Sequence, residues 1–279
     1  MSRTAFGLML ALNVLLSLAL TVSHAIQSKV FLNWRVLLAF EGEHPFQSRV
    51  LPFLLTNAVA HFRPLGDQGL SLFFMLMDLL GVLACFWFTW KSWEALAKTG
   101  GRALLMFGLF WWQLFATFVL SAYNNYYYPW DMMSLGFIAA GMWMIISRQP
   151  LPALLALSVP AMMNRETFIV VPFFYLAYNW PASKPTWRQF GAIVLVCLAV
   201  KTTISACLNV TTDMVSLYHM PGFPRIYYNF AFLWLGPDYR YTLNAFFAFG
   251  FAWLLLFMPG QSDKRLRNMM LCFIPFLLG

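Results

Sequence analysis

Charged side chains are scarce in this chain. Only 10% of its residues are Asp, Glu, Lys or Arg, against roughly a quarter in soluble globular domains. With 61% hydrophobic residues and a mean hydropathy of +0.67, that scarcity excludes an ordinary soluble domain. Such a domain would have to bury too many apolar faces in too small a core. Cysteine is rare as well. Cys85, Cys197, Cys207 and Cys272 form no CxxC or disulfide-like pattern, which argues against a disulfide framework. All four fall in apolar runs and read as packing residues. The chain has no internal repeat and no low-complexity linker. Its first apolar run, 5–26, lacks a small-residue cleavage site and reads as an uncleaved span rather than a signal peptide.

What is present is a series of long apolar runs. Spans are expected at 5–26, 69–90, 103–121, 130–147, 151–163, 166–180, 188–208, 241–259 and 268–279. Together they predict an all-α, polytopic transmembrane bundle of about eight or nine spans, with residues 1–279 forming one domain. The short apolar piece 50–62 reads as a re-entrant or interfacial helix. The runs 151–163 and 166–180 read as a hairpin whose tip is Asn164-Arg165-Glu166. The final apolar run ends at Leu277-Leu278-Gly279 and reads as a truncated product or a short last helix.

The formal net charge is +8, but the basic residues sit in short loops, where they set orientation rather than bind nucleic acid. With the N-terminus inside, the inner loops hold ten basic residues and only two acids, Glu94 and Asp263. The outer segments then hold seven bases and seven acids. The positive-inside rule favours that orientation, with a cytoplasmic N-terminus. All four histidines (His24, His44, His61, His219) then fall at or near the outer face. Two outer segments are long, 27–49 and 209–240, and long loops in compact folds often carry function. Within the first, 30–40 predicts an amphipathic interfacial helix anchored by Trp34.

Three constellations stand out on that face. Glu41-Gly-Glu43-His44 precedes Pro45-Phe46-Gln47-Ser48-Arg49. A carboxylate there can act as a general base toward a hydroxyl. Glu41 and Glu43 with His44 could instead hold a divalent cation, magnesium or manganese, or the stretch could be a solvated loop. Next comes Tyr123-Asn-Asn-Tyr-Tyr127-Tyr128-Pro129-Trp130-Asp131. Its aromatics suit an interfacial belt or a ledge for a sugar ring. Asp131 suits a helix start or a functional carboxylate. The third is Asn164-Arg165-Glu166-Thr167, which begins a helix. Arg165 and Glu166 either neutralise each other or, with the helix N-terminus, make an anion site. Two further charges, Asp78 and Lys201, lie inside spans and are expected to pair, with a proton relay as the alternative. His219, Arg225 and Arg240, and the triplet Asn209-Val-Thr211, carry no diagnostic spacing.

At the same three stretches the chain resembles bacterial members of the GT-C superfamily of membrane glycosyltransferases. The likeness is to a family carrying PFQYRVL-like, YPWD-like and NRET motifs in that order. Here they read Pro45-Phe-Gln-Ser-Arg-Val-Leu51, Tyr128-Pro-Trp-Asp131 and Asn164-Arg-Glu-Thr167. The resemblance implies a multi-pass protein of the bacterial inner membrane. It would transfer a sugar from a polyprenyl-phosphate donor to a glycan, lipid or protein acceptor on the periplasmic face. In the family the first outer loop carries the catalytic acid, usually Asp; here it offers Glu43 and Glu41. The roles implied are as follows. Glu43 or Glu41 deprotonates the acceptor, with Asp131 as the alternative base or a sugar ligand. Arg49 and Arg165 bind the donor phosphate, Glu166 orients Arg165, and Asn164 stands beside them. His44, Gln47, Tyr127, Tyr128 and Trp130 contact sugar or acceptor. Two readings of other classes stand beside this one: a lipid-linked-sugar flippase or transporter, and a non-catalytic membrane subunit of a glycan-assembly complex.

Overall fold

The computed structural model describes residues 3–28, 30, 32–42, 46–96, 103–119, 127–208, 264–265, 267–269 and 271–272. The expected span 241–259, most of 268–279 and the whole second outer segment lie outside them. So do Glu43, His44, His219, Arg225 and Arg240. Among the described residues the chain is all-helical, with no strand. The helices are α1 (Arg3–Gln27), α2 (Trp34–Leu38), α3 (Leu51–Phe62), α4 (Asp67–Leu96), α5 (Ala103–Phe118), α6 (Asp131–Ile146), α7 (Leu151–Asn164), α8 (Val170–Tyr178) and α9 (Lys184–Leu208). A 3₁₀ turn, Glu166–Ile169, leads into α8.

Three helices, α1, α4 and α9, are long and apolar enough to cross a membrane. Five other apolar segments are shorter, from Leu51–Phe62 to Glu166–Tyr178. The long helices run past the apolar limits read from sequence. Asp67 at the start of α4 and Lys184 at the start of α9 keep helical geometry beyond the apolar run.

α1 shows how its residues are sorted. Leu8, Leu12, Leu15, Leu18, Val22 and Ile26 are exposed, Leu8 at 69% and Ile26 at 76%. Asn13, Ser17, Thr21, His24 and Ser28 are buried. Both sets recur every three or four residues, so each is one face of the helix. A helix at a water-facing surface turns its polar face outward. α1 does the reverse.

α4 packs most extensively on α6. The two backbones meet closely because small residues face one another. A Cβ on Gly81 would lie 2.5 Å from the Met132 carbonyl carbon. A Cβ on Gly136 would lie 3.0 Å from the Gly81 carbonyl oxygen. Small-residue contacts of this kind are how apolar helices associate where no hydrophobic driving force separates them from their surroundings. α7 and α8 each pack on α6 and α9. Gly141 of α6 meets Val171 and Phe168, which ties the chain after Arg165 to the far half of α6.

Two expectations are corrected here. The helix expected over 30–40 is only Trp34–Leu38. Phe40 takes φ 60, the left-handed turn that ends helices. The Phe40 amide donates to the Leu37 carbonyl and the Glu41 amide to the Val36 carbonyl. Trp34 packs on Phe74 and Tyr127 at 5.2 and 6.3 Å. Of the cysteines, Cys85 and Cys197 are buried as expected, whereas Cys207 is exposed.

If the Gly81 contact sets the α4–α6 distance, Gly81→Leu will lower the melting temperature of the detergent-purified protein. The loss corresponds to about 1–3 kcal/mol, or more, of overpacking. Gly7→Leu, where a Cβ meets nothing within 4 Å, will leave the melting temperature unchanged.

Candidate functional site

Four charged side chains from three chain segments gather at one end of the bundle. Arg49 precedes α3. Asp131 opens α6, its amide donating to the Tyr128 carbonyl at 3.1 Å. Arg165 and Glu166 lie between α7 and α8. Arg165 Nη1 donates to Asp131 Oδ1 at 2.5 Å. Arg49 Nη2 donates to Glu166 Oε1 at 3.2 Å. The four groups also reach across the pairs, because Asp131 feels the charge of Arg49 and Glu166 that of Arg165.

The pairing is therefore crossed. Arg165 and Glu166 do not form an ion pair with each other; Glu166 holds Arg49, and Asp131 holds Arg165. The backbone gives the reason. Arg165 is extended, at φ −163 and ψ 135, and extended backbone sends successive side chains to opposite sides. Asn164, expected beside the phosphate, is the wholly buried last residue of α7. Its amide donates to the Trp130 carbonyl at 3.0 Å and to Ser134 Oγ at 2.9 Å. It fastens α7 to the start of α6.

Arg49 is buried and rests on a stack of rings. Its guanidinium lies 4.9 Å from the Trp130 centroid and 5.7 Å from that of Phe46, within reach of cation–π attraction. Tyr128 and Trp130 stack at 5.2 Å and 14°, and Phe46 stacks on Tyr128 at 5.8 Å and 21°. These aromatics do not form an open ledge for a sugar. Trp130 is fully buried and Tyr127 nearly so; Tyr128 and Phe46 are half-buried. Burial, reinforced by the nearby Asp78 carboxylate, pushes the Tyr127 phenol above its ordinary value.

Gln47 is not a sugar ligand either. It is 1% exposed, and its carbonyl accepts from the Gly42 amide at 2.7 Å, while its side-chain amide faces the Leu37 carbonyl at 3.4 Å. It holds the first loop shut against α2, where Gly42 has no room for a Cβ beside Leu37. Glu41, one residue earlier, is exposed. It lines a groove of about 270 Å³ with Asn33, Val36, Leu37, Gly42 and Phe46. Phe46 thus joins the Glu41 groove to the platform under Arg49.

Of the candidate cation ligands only Glu41 is described, on this groove; Glu43 and His44 lie outside the described residues. Among the described residues no three His, Cys, Asp or Glu gather as a metal-binding group.

Lys201 and Asp78 do not pair. α4 packs on α1, α3 and α6, and α9 on α7 and α8. Lys201 is exposed and lines a narrow cleft of about 30 Å³ with Ser48, Met162, Glu166 and Ile204. A third cation thus borders the cluster, one that sequence reading placed elsewhere. Asp78 instead meets His24, whose Nδ1 is 3.4 Å from Asp78 Oδ2. His24 is buried inside the bundle, 1% exposed. The polar spacing along α1 was the signal that could have found it.

The crossed pairing predicts the outcome of two double-mutant cycles. Arg165→Ala with Asp131→Ala will show a coupling of about 1–3 kcal/mol in unfolding experiments, as contacting residues do. Arg165→Ala with Glu166→Ala will show a much smaller one. No family model, curated protein or solved structure matches this chain.

Proposed function

We propose that this chain is a multi-pass membrane glycosyltransferase of the GT-C type. It moves a sugar from a polyprenyl-phosphate donor to an acceptor at the membrane face where Arg49, Arg165 and Glu41 lie. One observation carries the reading. Two guanidiniums are clamped by carboxylates, yet Nε of Arg49 and Nε of Arg165 are both buried without a hydrogen-bond partner among the described residues. Buried donors without partners are costly, and an oxyanion supplies what they lack. The four-group cluster is formally neutral, and Lys201 at its border adds one positive charge toward an arriving phosphate. The outward apolar face of α1 supports the membrane setting.

In this reading Glu41, or Glu43 two residues on, takes the proton of the acceptor hydroxyl. The acceptor oxygen attacks the anomeric carbon, and the bond from that carbon to the phosphate oxygen breaks. The charge released on the polyprenyl phosphate falls to Arg49 and Arg165, already fixed in place by Glu166 and Asp131. Donors held rigid before the reaction stabilise developing charge without reorganising. Asp131 and Glu166 are then positioning residues, and Phe46 walls the groove shared by acceptor and donor.

A second reading is a lipid-linked-sugar transporter. The buried His24–Asp78 pair favours it, since ionisable groups inside apolar bundles mark ion pathways.

The test is sugar transfer from radiolabelled polyprenyl-phosphate sugars in membranes carrying the folded protein. Wild type will transfer. Arg165→Lys will lose about 100-fold or more, as removing one charge-stabilising donor does, and Glu41→Gln will lose activity if Glu41 is the base. Movement of the lipid-linked sugar across vesicles without transfer would select the transporter. Neither transfer nor movement, with any donor, would overturn both.

A further inference from the structure

The interior of the bundle holds a second polar centre that the transferase reading does not use. His24 and Asp78 face each other at 3.4 Å from two helices, α1 and α4, and both are almost wholly buried. The His24 ring is walled by Phe118 at 5.5 Å, edge-on, and by Tyr127 at 5.1 Å. Around the pair, Thr21 Oγ1 and Ser28 Oγ are buried with no hydrogen-bond partner among the described residues, and the Tyr127 hydroxyl turns to the Asp78 carboxylate. Asn13 Oδ1 and Trp111 Nε1 extend the series deeper into the bundle.

A dry interior does not tolerate this set. Each buried polar group without a partner is costly, and Asn13, Thr21, Ser28 and Trp111 each bring one to the interior that also holds the His24–Asp78 pair. Water in a polar cavity removes that cost, provided it meets two or more polar partners. Thr21 and Ser28 stand three and four residues from His24 on the same helix face, so their hydroxyls flank the imidazole.

The polar face of α1 runs from Asn13 to Ser28, about 22 Å at helical rise. Its Ser28 end lies toward the arginine cluster: Tyr127, which packs on His24 at 5.1 Å, is four residues from Asp131. Toward Arg3 the face continues as buried Met9, and Phe6 packs on Trp90 at 6.1 Å.

We propose that His24 and Asp78, with Tyr127, Thr21 and Ser28 around them, form a water-holding proton site that exchanges a proton with the arginine-cluster end of the bundle. The proton enters through water to the imidazole, giving an imidazolium against the Asp78 carboxylate, and leaves to water by the same route. Among the described residues, the titratable and charged groups that bear on it are few. α1 offers His24, α4 offers Asp78, and the segment before α6 offers Tyr127. α6 offers Asp131, whose charge reaches both His24 and Asp78 and is balanced by Arg165. α5 contributes Trp111 and Phe118, which do not titrate. The inference stands on the bundle interior alone and holds whether or not the protein transfers sugar.

The test is ring-nitrogen NMR of ¹⁵N-histidine-labelled full-length protein in lipid nanodiscs, with His24 assigned by its loss in His24→Gln. The His24 ring N–H will exchange rapidly with solvent, where a ring sealed in a dry interior is protected. Asp78→Asn, which removes the carboxylate facing the imidazole, will slow that exchange several-fold. Tyr127→Phe provides an independent reading if Asp78→Asn does not fold, and it too will change the exchange rate. A His24 ring N–H protected from solvent exchange, or a rate that neither variant changes, would overturn the proposal.

Discussion

The polar side chains of α1 turn inward, away from its exposed apolar face, and the rest of the structure depends on where they find partners. With leucine, valine and isoleucine outward, the asparagine, serines, threonine and histidine of α1 turn inward and must find partners there. Some find them locally. Ser17 donates to the Asn13 carbonyl at 2.8 Å, and Thr56, Ser134 and Ser158 donate in the same four-back pattern within their own helices. Others meet across helices, as His24 meets Asp78 and Asn164 meets Ser134. A burial pattern inverted from that of soluble helices makes polar contacts, rather than apolar ones, the specific links between elements.

The same constraint shapes the charged end. Ion pairs exposed to water contribute little, and the Arg35–Asp67 pair, both side chains more than two-thirds exposed, is of that kind. Arg49 differs. It is buried, lies on an aromatic platform and is matched by a carboxylate from a distant part of the chain. Arg165 and Asp131 repeat the arrangement one step away. Each arginine is fixed by one bond to a carboxylate and keeps a second donor unused. Two such groups side by side form a rigid, partly satisfied cradle for an anion, which flexible lysines on a surface do not provide.

Much of this architecture is legible in the sequence. The apolar runs locate α1, α4 and α9, and proline and charge mark the breaks between α5 and α8. Asn164-Arg165-Glu166 stands out because polar residues interrupt an apolar run, and it does lie at the junction of two helical segments. Partner choice is not legible. Asp78 and Lys201 look like the natural couple along the chain, but α4 and α9 pack on different neighbours. Arg165 and Glu166 are adjacent in sequence and separated in space by one extended residue. Gln47, Tyr127 and Trp130 read as ligands because they sit in polar, aromatic stretches; they are buried because those stretches close over the end of the bundle. Packing alone decides each case, and no spacing rule encodes it.

The most direct measurement places nitroxide labels on α1, one at a time, at Leu8, Leu15, Val22 and Ile26 and at Ser17 and Thr21, in reconstituted lipid bilayers. Relaxation by lipid-soluble oxygen and by a water-soluble nickel chelate is then compared. A membrane-embedded bundle predicts strong oxygen contact and weak nickel contact across the leucine face, with both reagents weak at Ser17 and Thr21. Nickel contact along the leucine face at the level of a surface helix in water would contradict it.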